Sequence, residues 1–377
     1  MKKLTALLLC LVLCLSCIAA MASCDTGSQP SDTTAGNAVT TAPADDATEA
    51  PTEDATEAPA EDATEAPTED ATDDENVTAD PDAEYDPTTH VVISSAEDLM
   101  AFNKKVNEDM EFFDDMTVVF TADIDMTGYE WIPLDGDFLF GVTFEGNGHT
   151  ISNLKFVDHD PEKGTDASRM GSGFVGMTSV DMTFQNLTID TASVVAYERA
   201  VGCFVGVQTG GYIWFENCNV KNFTAEGWMD YANQDREAGG HPISFRLAGF
   251  VGHNMAGGLG FQNCHVENIK LSGFHNMAGF VGYGSATLDE FAFEECSVKN
   301  AEFTFSYCMS DAYTVDMPRK FVAVFFNHCQ WVDKTQACID MGNTFDGVSY
   351  YDYTDDNAEY TPSDFMSWSD EEANAGA

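Results

Sequence analysis

The chain has 377 residues, with 64 Asp and Glu against 16 Lys and Arg, and a formal net charge of −48. A surface this acidic repels polyanions, which excludes nucleic acid as a partner and argues against docking on anionic lipid through a basic patch. Residues 25–84 contribute −19 and residues 346–377 another −9, so part of this charge belongs to segments that we expect to lie outside the folded domain.

The first 24 residues are typical of a secretory signal. Lys2 and Lys3 form a positive n-region, and Leu4 to Ile18 is an apolar stretch too short to span a bilayer comfortably. Small residues then lead to Cys24, so residues 1–23 resemble the signal peptide of a bacterial lipoprotein. The resemblance implies a lipid anchor on Cys24 and display at the bacterial cell surface. The alternatives are acylation at Cys17 and an ordinary cleaved signal.

Residues 24–84 form a low-complexity linker rich in Thr, Ala, Pro and acidic residues. The octad Ala-Thr-Glu-Ala-Pro-Thr-Glu-Asp recurs with small changes from Ala47 to Asp70. Such a segment buries too little apolar surface to offset its ordering entropy, so it is predicted to be disordered. We interpret it as a stalk for a folded domain at residues 85–350, which an acidic tail at residues 351–377 follows.

The domain is predicted to open with a helix and three strands. Ser94-Ser95-Ala96-Glu97 is a capping box, and Leu99, Phe102 and Val106 share one face of the helix that follows it. We expect this helix to cover the exposed strand edges at the N-terminal end of the domain. The first strands are predicted at Val118 to Phe120, Phe138 to Phe144 and Thr150 to Phe156, with a tight turn at Gly146-Asn147-Gly148.

Internal repeats decide the fold class. Gly-Phe-Val-Gly occurs at 173–176, 249–252 and 279–282, and Cys203-Phe204-Val205-Gly206 is a fourth copy. Each copy is followed by a Phe-x-Asn-Cys-like motif and an alternating stretch, so each unit offers about three short strands. A unit of this size cannot close its own core, but stacked copies can. The sequence therefore predicts an all-β protein, a parallel β-helix.

Cysteine positions follow the same repeat. Cys218, Cys264 and Cys296 occupy one repeat position, which predicts a column of buried thiols about 4.8 Å apart, with poor geometry for disulfides. The preceding residues Asn186, Asn217 and Asn263 are predicted to stack as an amide ladder at a turn. The sequence has no closely spaced His/Cys set of the kind that binds zinc. Disulfide pairing stays open among Cys308, Cys329 and Cys338, which lie outside the repeat frame.

Several motifs together resemble the GLUG-repeat β-helix proteins of bacterial surfaces. They are Ala122 to Met126, Trp131-Ile132-Pro133, Phe144 to Leu154 and the four Gly/Cys-Phe-Val-Gly copies. The resemblance implies a right-handed parallel β-helix on secreted or anchored, adhesin-like proteins, and it implies no single reaction. Some members carry a zinc metalloprotease, but His-Glu-x-x-His is absent from this sequence, so that activity is not carried over.

Three units are lengthened just before the Gly-Phe-Val-Gly position, at residues 157–172, 227–245 and 305–320. Loops inserted at one repeat position emerge on one side of a solenoid, so we expect a binding face there. The candidate ligand-binding residues lie in the middle loop: Trp228, Asp230, Tyr231, Asp235, Arg236, Glu237 and His241. The other two loops add Asp158, His159, Asp160, Arg169, Asp311, Tyr313 and Arg319.

Aromatic and carboxylate side chains together suit carbohydrate, because rings stack on sugar faces and carboxylates accept hydroxyl hydrogen bonds. We therefore expect a surface-anchored binding or adhesion module for a glycan or a surface protein, without catalysis and without a cofactor. The alternatives are a polysaccharide-active hydrolase or lyase that uses carboxylates on the loop face, a spacer protein, and loops with no binding role. Calcium is a candidate ligand of carboxylates such as Asp123 and Asp125, although their spacing lacks the full set of a known calcium loop.

Overall fold

The computed structural model describes residues 84–157, 171–196, 200–227, 246–273, 276–285, 291–305, 322–328, 334–352 and 358–360. Within these ranges the chain forms thirty short strands, two α-helices and one 3₁₀ turn. The predicted signal, Cys24, the linker, and the tail beyond residue 360 lie outside them, and so do Cys308 and Cys329.

The strands form five sheets that run along the molecule. Sheet 1 contains, in spatial order, β1 (His90–Ile93), β2 (Thr117–Phe120), β5 (Val142–Glu145), β8 (Met182–Gln185), β13 (Tyr212–Glu216), β18 (Gly258–Gln262) and β23 (Phe291–Glu294). Sheet 2 contains β3 (Ile124–Asp125), β6 (Thr150–Ser152), β9 (Thr188–Asp190), β14 (Asn219–Lys221), β19 (His265–Glu267), β24 (Ser297–Lys299) and β28 (Thr344–Asp346).

The remaining three sheets complete each rung. Sheet 3 contains β10 (Ser193–Ala196), β15 (Thr224–Gly227), β20 (Lys270–Gly273), β25 (Glu302–Phe305), β29 (Ser349–Asp352) and β30 (Ala358–Tyr360). Sheet 4 contains β11 (Ala200–Gly202), β16 (Arg246–Ala248), β21 (Met277–Ala278) and β26 (Val322–Ala323). Sheet 5 contains β4 (Leu134–Asp135), β7 (Val175–Thr178), β12 (Val205–Gln208), β17 (Val251–Asn254), β22 (Val281–Gly284) and β27 (Phe326–His328).

Consecutive strands β11 to β15 enter sheets 4, 5, 1, 2 and 3 in turn, and each pairs in parallel with its equivalent in the next rung. This confirms the predicted all-β parallel β-helix. The expectation of about three strands per unit was wrong, because tight bends divide the alternating stretches into five shorter strands. The antiparallel pairing of β29 with β30 is the exception among the described strands.

Two columns of phenylalanine fill the core. Phe144, Phe184, Phe215, Phe261 and Phe293 stack in the first column, with ring centroids 4.9–5.2 Å apart between neighbours. The second column contains the Phe of each Gly/Cys-Phe-Val-Gly copy and meets the first edge-to-face, as Phe204 meets Phe215 at 5.5 Å. The repeated Phe positions therefore make apolar contacts from each rung to the next.

Glycines within and just before the repeated tetrapeptide allow sheets 4 and 5 to lie against each other. A β-carbon at Gly202 would come within 2.4 Å of the Phe250 carbonyl oxygen and 2.5 Å of the Gly252 nitrogen. A β-carbon at Gly252 would come within 2.6–2.7 Å of the Val201 backbone. Both positions therefore need glycine for space, since backbone atoms cannot move aside as side chains do.

Asparagines in the left-handed conformation form a ladder at the corner between sheets 1 and 2. Asn186, Asn217 and Asn263 have φ between 48° and 54°. The Asn217 amide donates to Asn186 Oδ1, and the Asn263 amide donates to Asn217 Oδ1, both at 2.9 Å. This confirms the predicted ladder. A second ladder that we did not predict joins Asn222, Asn268 and Asn300 at the corner between sheets 2 and 3.

The cysteine column is also confirmed. Cys218, Cys264 and Cys296 are fully buried thiols at equivalent positions, just before paired strands β14, β19 and β24. The Cys264 and Cys296 thiols each donate to a carbonyl two residues earlier, at 3.3 Å. Burial raises the pKa of Cys264, and the neighbouring Cys264 thiol together with burial raises the pKa of Cys296. Cys264 and Cys296 therefore stay protonated, and all three buried thiols act as small apolar side chains.

The N-terminal helix caps the first rung as predicted. Helix α1 (Ala96–Asn107) buries Leu99, Phe102 and Val106, and the Phe102 ring packs edge-to-face on Phe113 and Phe144. The capping box differs by one residue. Ser95 is the N-cap, with its Oγ accepting from the Asp98 amide at 3.1 Å, and Asp98 accepts from the Ser94 amide at 3.0 Å.

The first early strand is confirmed as Thr117–Phe120, and the other two are shorter than predicted. Residues Gly136–Phe138 form a 3₁₀ turn, so the strand expected at Phe138 to Phe144 begins at Val142. The third strand ends at Ser152, because Asn153 adopts a left-handed conformation with φ 59°. The turn at Gly146-Asn147-Gly148 is confirmed, with φ 50° at Asn147 and 80° at Gly148. At the other end, helix α2 (Thr335–Asp340) buries Cys338, and Tyr350 is buried in the last rung.

Candidate functional site

The candidate binding residues of the inserted loops lie outside the described residues, and their role stays a prediction. This applies to Trp228, Asp230, Tyr231, Asp235, Arg236, Glu237 and His241, and also to the candidates of the other two loops. Strand pairing does align the ends of the insertions. Leu247, after the second insertion, pairs with Met277, which pairs with Val322 after the third. Both insertions therefore connect sheet 3 to sheet 4, at one repeat position.

Asp123 and Asp125 accept hydrogen bonds at a turn of the first rungs. Asp123 Oδ1 lies 2.9 Å from the Thr150 amide and 3.2 Å from His149 Nδ1. Asp125 Oδ1 accepts from the Asn153 amide at 2.8 Å and from the Thr127 hydroxyl at 2.7 Å. These hydrogen bonds lower the pKa of Asp125. Within the described ranges, no three His, Cys, Asp or Glu side chains are grouped to hold a metal ion.

The outer face of sheet 1 carries two aromatic side chains that sequence analysis missed. Along β13, Ile213 and Phe215 point into the core and are fully buried, so Tyr212 and Trp214 face outward. Tyr212 is 43% exposed and Trp214 is partly exposed. We call this pair the aromatic platform. Its rings lie within 17° of parallel, with centroids 6.4 Å apart.

A glycine in the next strand seats the platform. Trp214 pairs in register with Gly260 of β18, and Tyr212 pairs with Gly258. A β-carbon at Gly260 would lie 2.1 Å from Trp214 Cε3 and 2.7 Å from the Tyr212 hydroxyl. Both side chains therefore lean across the strand and cover Gly260. Glycine leaves the space for this, as in aromatic–glycine pairs that reinforce sheets.

Polar side chains surround the platform on the same outer face. Thr183 pairs with Trp214 from the preceding rung, and Asp181 Oδ1 accepts from the Tyr212 amide at 2.6 Å. Two residues beyond Trp214, carboxylates and amides alternate from rung to rung in one column: Glu145, Gln185, Glu216, Gln262 and Glu294. Gln185 donates to Glu145 Oε2 at 2.5 Å within this column, and Glu216, Gln262 and Glu294 continue it at rung spacings of about 4.8 Å.

The chemistry of this face suits a neutral polyol ligand. Aromatic rings pack against the C–H groups of a sugar ring, and neighbouring amides and carboxylates bind its hydroxyls. Partial burial raises the pKa of Tyr212, so its phenol stays protonated at neutral pH and both donates and accepts hydrogen bonds. The acidic column repels anionic sugars such as uronates.

The sequence did hold a signal for the platform. In Tyr212-Ile213-Trp214-Phe215-Glu216 the side chains alternate between the core and the outer face. Because Phe215 is buried, Tyr212 and Trp214 lie on the outer face. Aligning the repeats on Phe215 and Phe261 places Gly260 beside Trp214, one residue before each Phe. The site was instead predicted in the insertions, because these loops are lengthened.

The chain resembles known proteins over part of its length. No protein-family model matches the chain. A stretch of 103 residues is 38% identical to halomucin of Haloquadratum walsbyi, which is 27% of this chain but 1% of halomucin. A crystal structure described as an immunoglobulin A1 protease from Bacteroides ovatus is 14% identical, with a TM-score of 0.33, over 64% of this chain and 85% of that one. A likeness of that strength supports no functional inference.

One further observation concerns membranes. In the part of the chain that the structure describes, no helix combines the length and apolar character needed to cross a bilayer.

Proposed function

We propose that this protein is a cell-surface binding module that recognises carbohydrate through the aromatic platform on its β-helix. The observation that carries the proposal is the seating of Trp214 and Tyr212 over Gly260 on the outer face of sheet 1. Solvent-facing aromatic side chains that are held in place lose little conformational entropy on binding, which favours recognition over a structural role alone.

The sequence supports the surface location. The signal resembles that of a lipoprotein anchored through Cys24, the acidic linker suits a stalk, and the repeats resemble GLUG-type surface proteins. The partial likeness to halomucin, whose name denotes a mucin, fits an extracellular protein. The protein is held at the membrane through this lipid anchor, and its ligand is a neutral glycan. The inserted loops, with Trp228 and Tyr231, are a second candidate contact for the same ligand.

A glycan array probed with the purified full chain tests the proposal. We expect binding to neutral oligosaccharides that Trp214→Ala weakens about tenfold or more, since 1.4 kcal/mol corresponds to a factor of ten. Phe140→Ala is the matched control, because Phe140 is 49% exposed but lies outside the platform. Binding that survives Trp214→Ala with Tyr212→Ala, or that Trp228→Ala alone abolishes, would place the site elsewhere.

A product assay on every bound glycan separates binding from catalysis. We expect no turnover. Cleavage of a bound glycan that is lost in Asp230→Asn or Glu237→Gln would replace this proposal with the hydrolase or lyase alternative.

A further inference from the structure

Exposed apolar side chains concentrate next to the N-terminal cap of the solenoid. Among the described residues, eight large apolar side chains are exposed, and four of them lie between residues 110 and 140. Met110 is 63% exposed, Phe112 61% and Phe140 49%. Single exposed apolar residues are ordinary, but a local group of this kind is a candidate contact surface.

Backbone pairing holds this group in place. The loop after α1 runs beside the turn that contains the 3₁₀ segment, with the Phe113 amide donating to the Phe138 carbonyl at 2.9 Å and the Asp115 amide to the Phe140 carbonyl at 2.8 Å. The Phe112 ring packs on the Phe138 ring at 4.8 Å. We call Met110, Phe112, Phe138 and Phe140 the cap patch. Because both segments are tied together, the cap patch exists before any partner binds.

Carboxylates flank the cap patch. The loop contributes five exposed acidic residues: Glu108, Asp109, Glu111, Asp114 and Asp115. Asp137, in the adjoining turn, is exposed as well. Lys104 and Lys105 in the last turn of α1 are the nearest basic residues in sequence, and they leave the local charge negative. Apolar contact area edged by negative charge is complementary to apolar side chains edged by positive charge.

We propose that the cap patch docks a cationic amphipathic segment of another protein, with its apolar side chains on Phe112 and Phe140 and its Lys or Arg side chains on the surrounding carboxylates. The acidic edge disfavours the two other occupants of an exposed apolar surface. An anionic lipid surface and a second copy of this acidic chain would both be repelled. This interaction is independent of the aromatic platform, which lies on the outer face of sheet 1.

The test uses two synthetic helical peptides and the full chain. One peptide has Leu on one face and Lys on the other, and the second has Glu in place of Lys. Binding is measured by fluorescence anisotropy at low and at raised salt. We expect the Lys peptide to bind, the Glu peptide not to bind, and Phe112→Ser with Phe140→Ser to weaken the Lys peptide about tenfold, as loss of central apolar anchors does.

Two further variants make the result specific. Val195→Ser with Met341→Ser removes apolar side chains of similar exposure, 48% and 45%, outside the cap patch, so affinity should not change. Asp109→Asn with Glu111→Gln keeps the apolar side chains and should weaken binding and reduce its salt dependence. This second pair also serves if the Phe variant fails to fold, which circular dichroism shows directly.

Three outcomes would overturn the proposal. The first is equal binding of the Lys peptide to wild type and to both cap-patch variants, which means attraction by net charge alone. The second is binding to zwitterionic vesicles that is lost in the Phe112/Phe140 variant, which identifies a membrane surface. The third is self-association in sedimentation that is lost in the same variant, which identifies a second copy.

Discussion

Trp214 lies over Gly260, and a β-carbon on that glycine would come within 2.1 Å of the indole Cε3 atom and 2.2 Å of Cζ3. Two residues from neighbouring rungs thus determine how the aromatic platform presents its rings. The same contact joins the stability of sheet 1 to the proposed binding surface.

Gly260→Ala should displace the indole. We expect a loss of about 1–3 kcal/mol in the free energy of unfolding, the usual range for an overpacked site, together with weaker glycan binding. A double-mutant cycle with Trp214→Ala supplies the control, because Gly260→Ala should cost little once the ring is gone. Equal costs in both backgrounds would show that Trp214 does not occupy the space above Gly260.

Asn217 has two roles that substitutions can separate. Asn217→Gly keeps the left-handed conformation, with φ 52°, and removes only the ladder hydrogen bonds. Asn217→Ala removes the hydrogen bonds and adds backbone strain of about 1–2 kcal/mol. In denaturant titration the free energy of unfolding should therefore be highest for wild type, lower for Asn217→Gly and lowest for Asn217→Ala. An Ala variant as stable as the Gly variant would contradict the left-handed turn.

Phe215 is the most informative core position. Its ring stacks between Phe184 at 5.2 Å and Phe261 at 5.0 Å. Phe215→Ala should cost about 3–5 kcal/mol in the free energy of unfolding, because it opens a cavity between three rungs. Phe140→Ala, at an exposed ring, should change stability by no more than about 0.5 kcal/mol in the same denaturation experiment. Similar losses at both sites would argue against a continuous phenylalanine column.

Cys218, Cys264 and Cys296 should resist alkylation in the native protein. For Cys264 and Cys296 the folded pKa is raised, so the thiolate that reacts is absent even where an exposed Cys begins to ionise, near pH 8.5. Mass spectrometry after iodoacetamide treatment should find these residues labelled in guanidinium and unlabelled without it. Native labelling that increases between pH 7 and 9 would contradict their burial.

The same pKa shifts predict alkaline destabilisation. A thiol with a raised folded pKa contributes stability that is fully present below the unfolded pKa and is lost as pH rises above it. The urea concentration at the unfolding midpoint should therefore decrease as the pH is raised beyond about 8.5. Cys264→Ala, which removes one such thiol, should flatten this dependence, whereas an unchanged slope would assign the effect to other groups.

Periodicity alone identified much of the architecture. The repeated Phe, Asn and Cys positions specified the rungs, the amide ladder and the thiol column, because a solenoid places equivalent residues of successive rungs in contact. The hydrophobic face of α1 likewise followed from a local pattern, whereas its N-cap is Ser95, one residue after the predicted Ser94. The number of strands per rung did not, since it depends on where tight bends divide an alternating stretch, and those bends depend on contacts between sheets.

The candidate site divides in the same way. Lengthened loops are visible in a sequence, and they predicted a binding site at Trp228 and its neighbours. The platform arises from Tyr212, Trp214 and Gly260. Trp214 and Gly260 are 46 residues apart in the sequence and are brought together by strand register. The cap patch likewise needs the pairing of Phe113 with Phe138. Sequence by itself determined the repeat, the fold class and the acidic character of this protein. Only the tertiary structure decided which outward side chains share a surface, because register between distant strands is set by packing of the whole core.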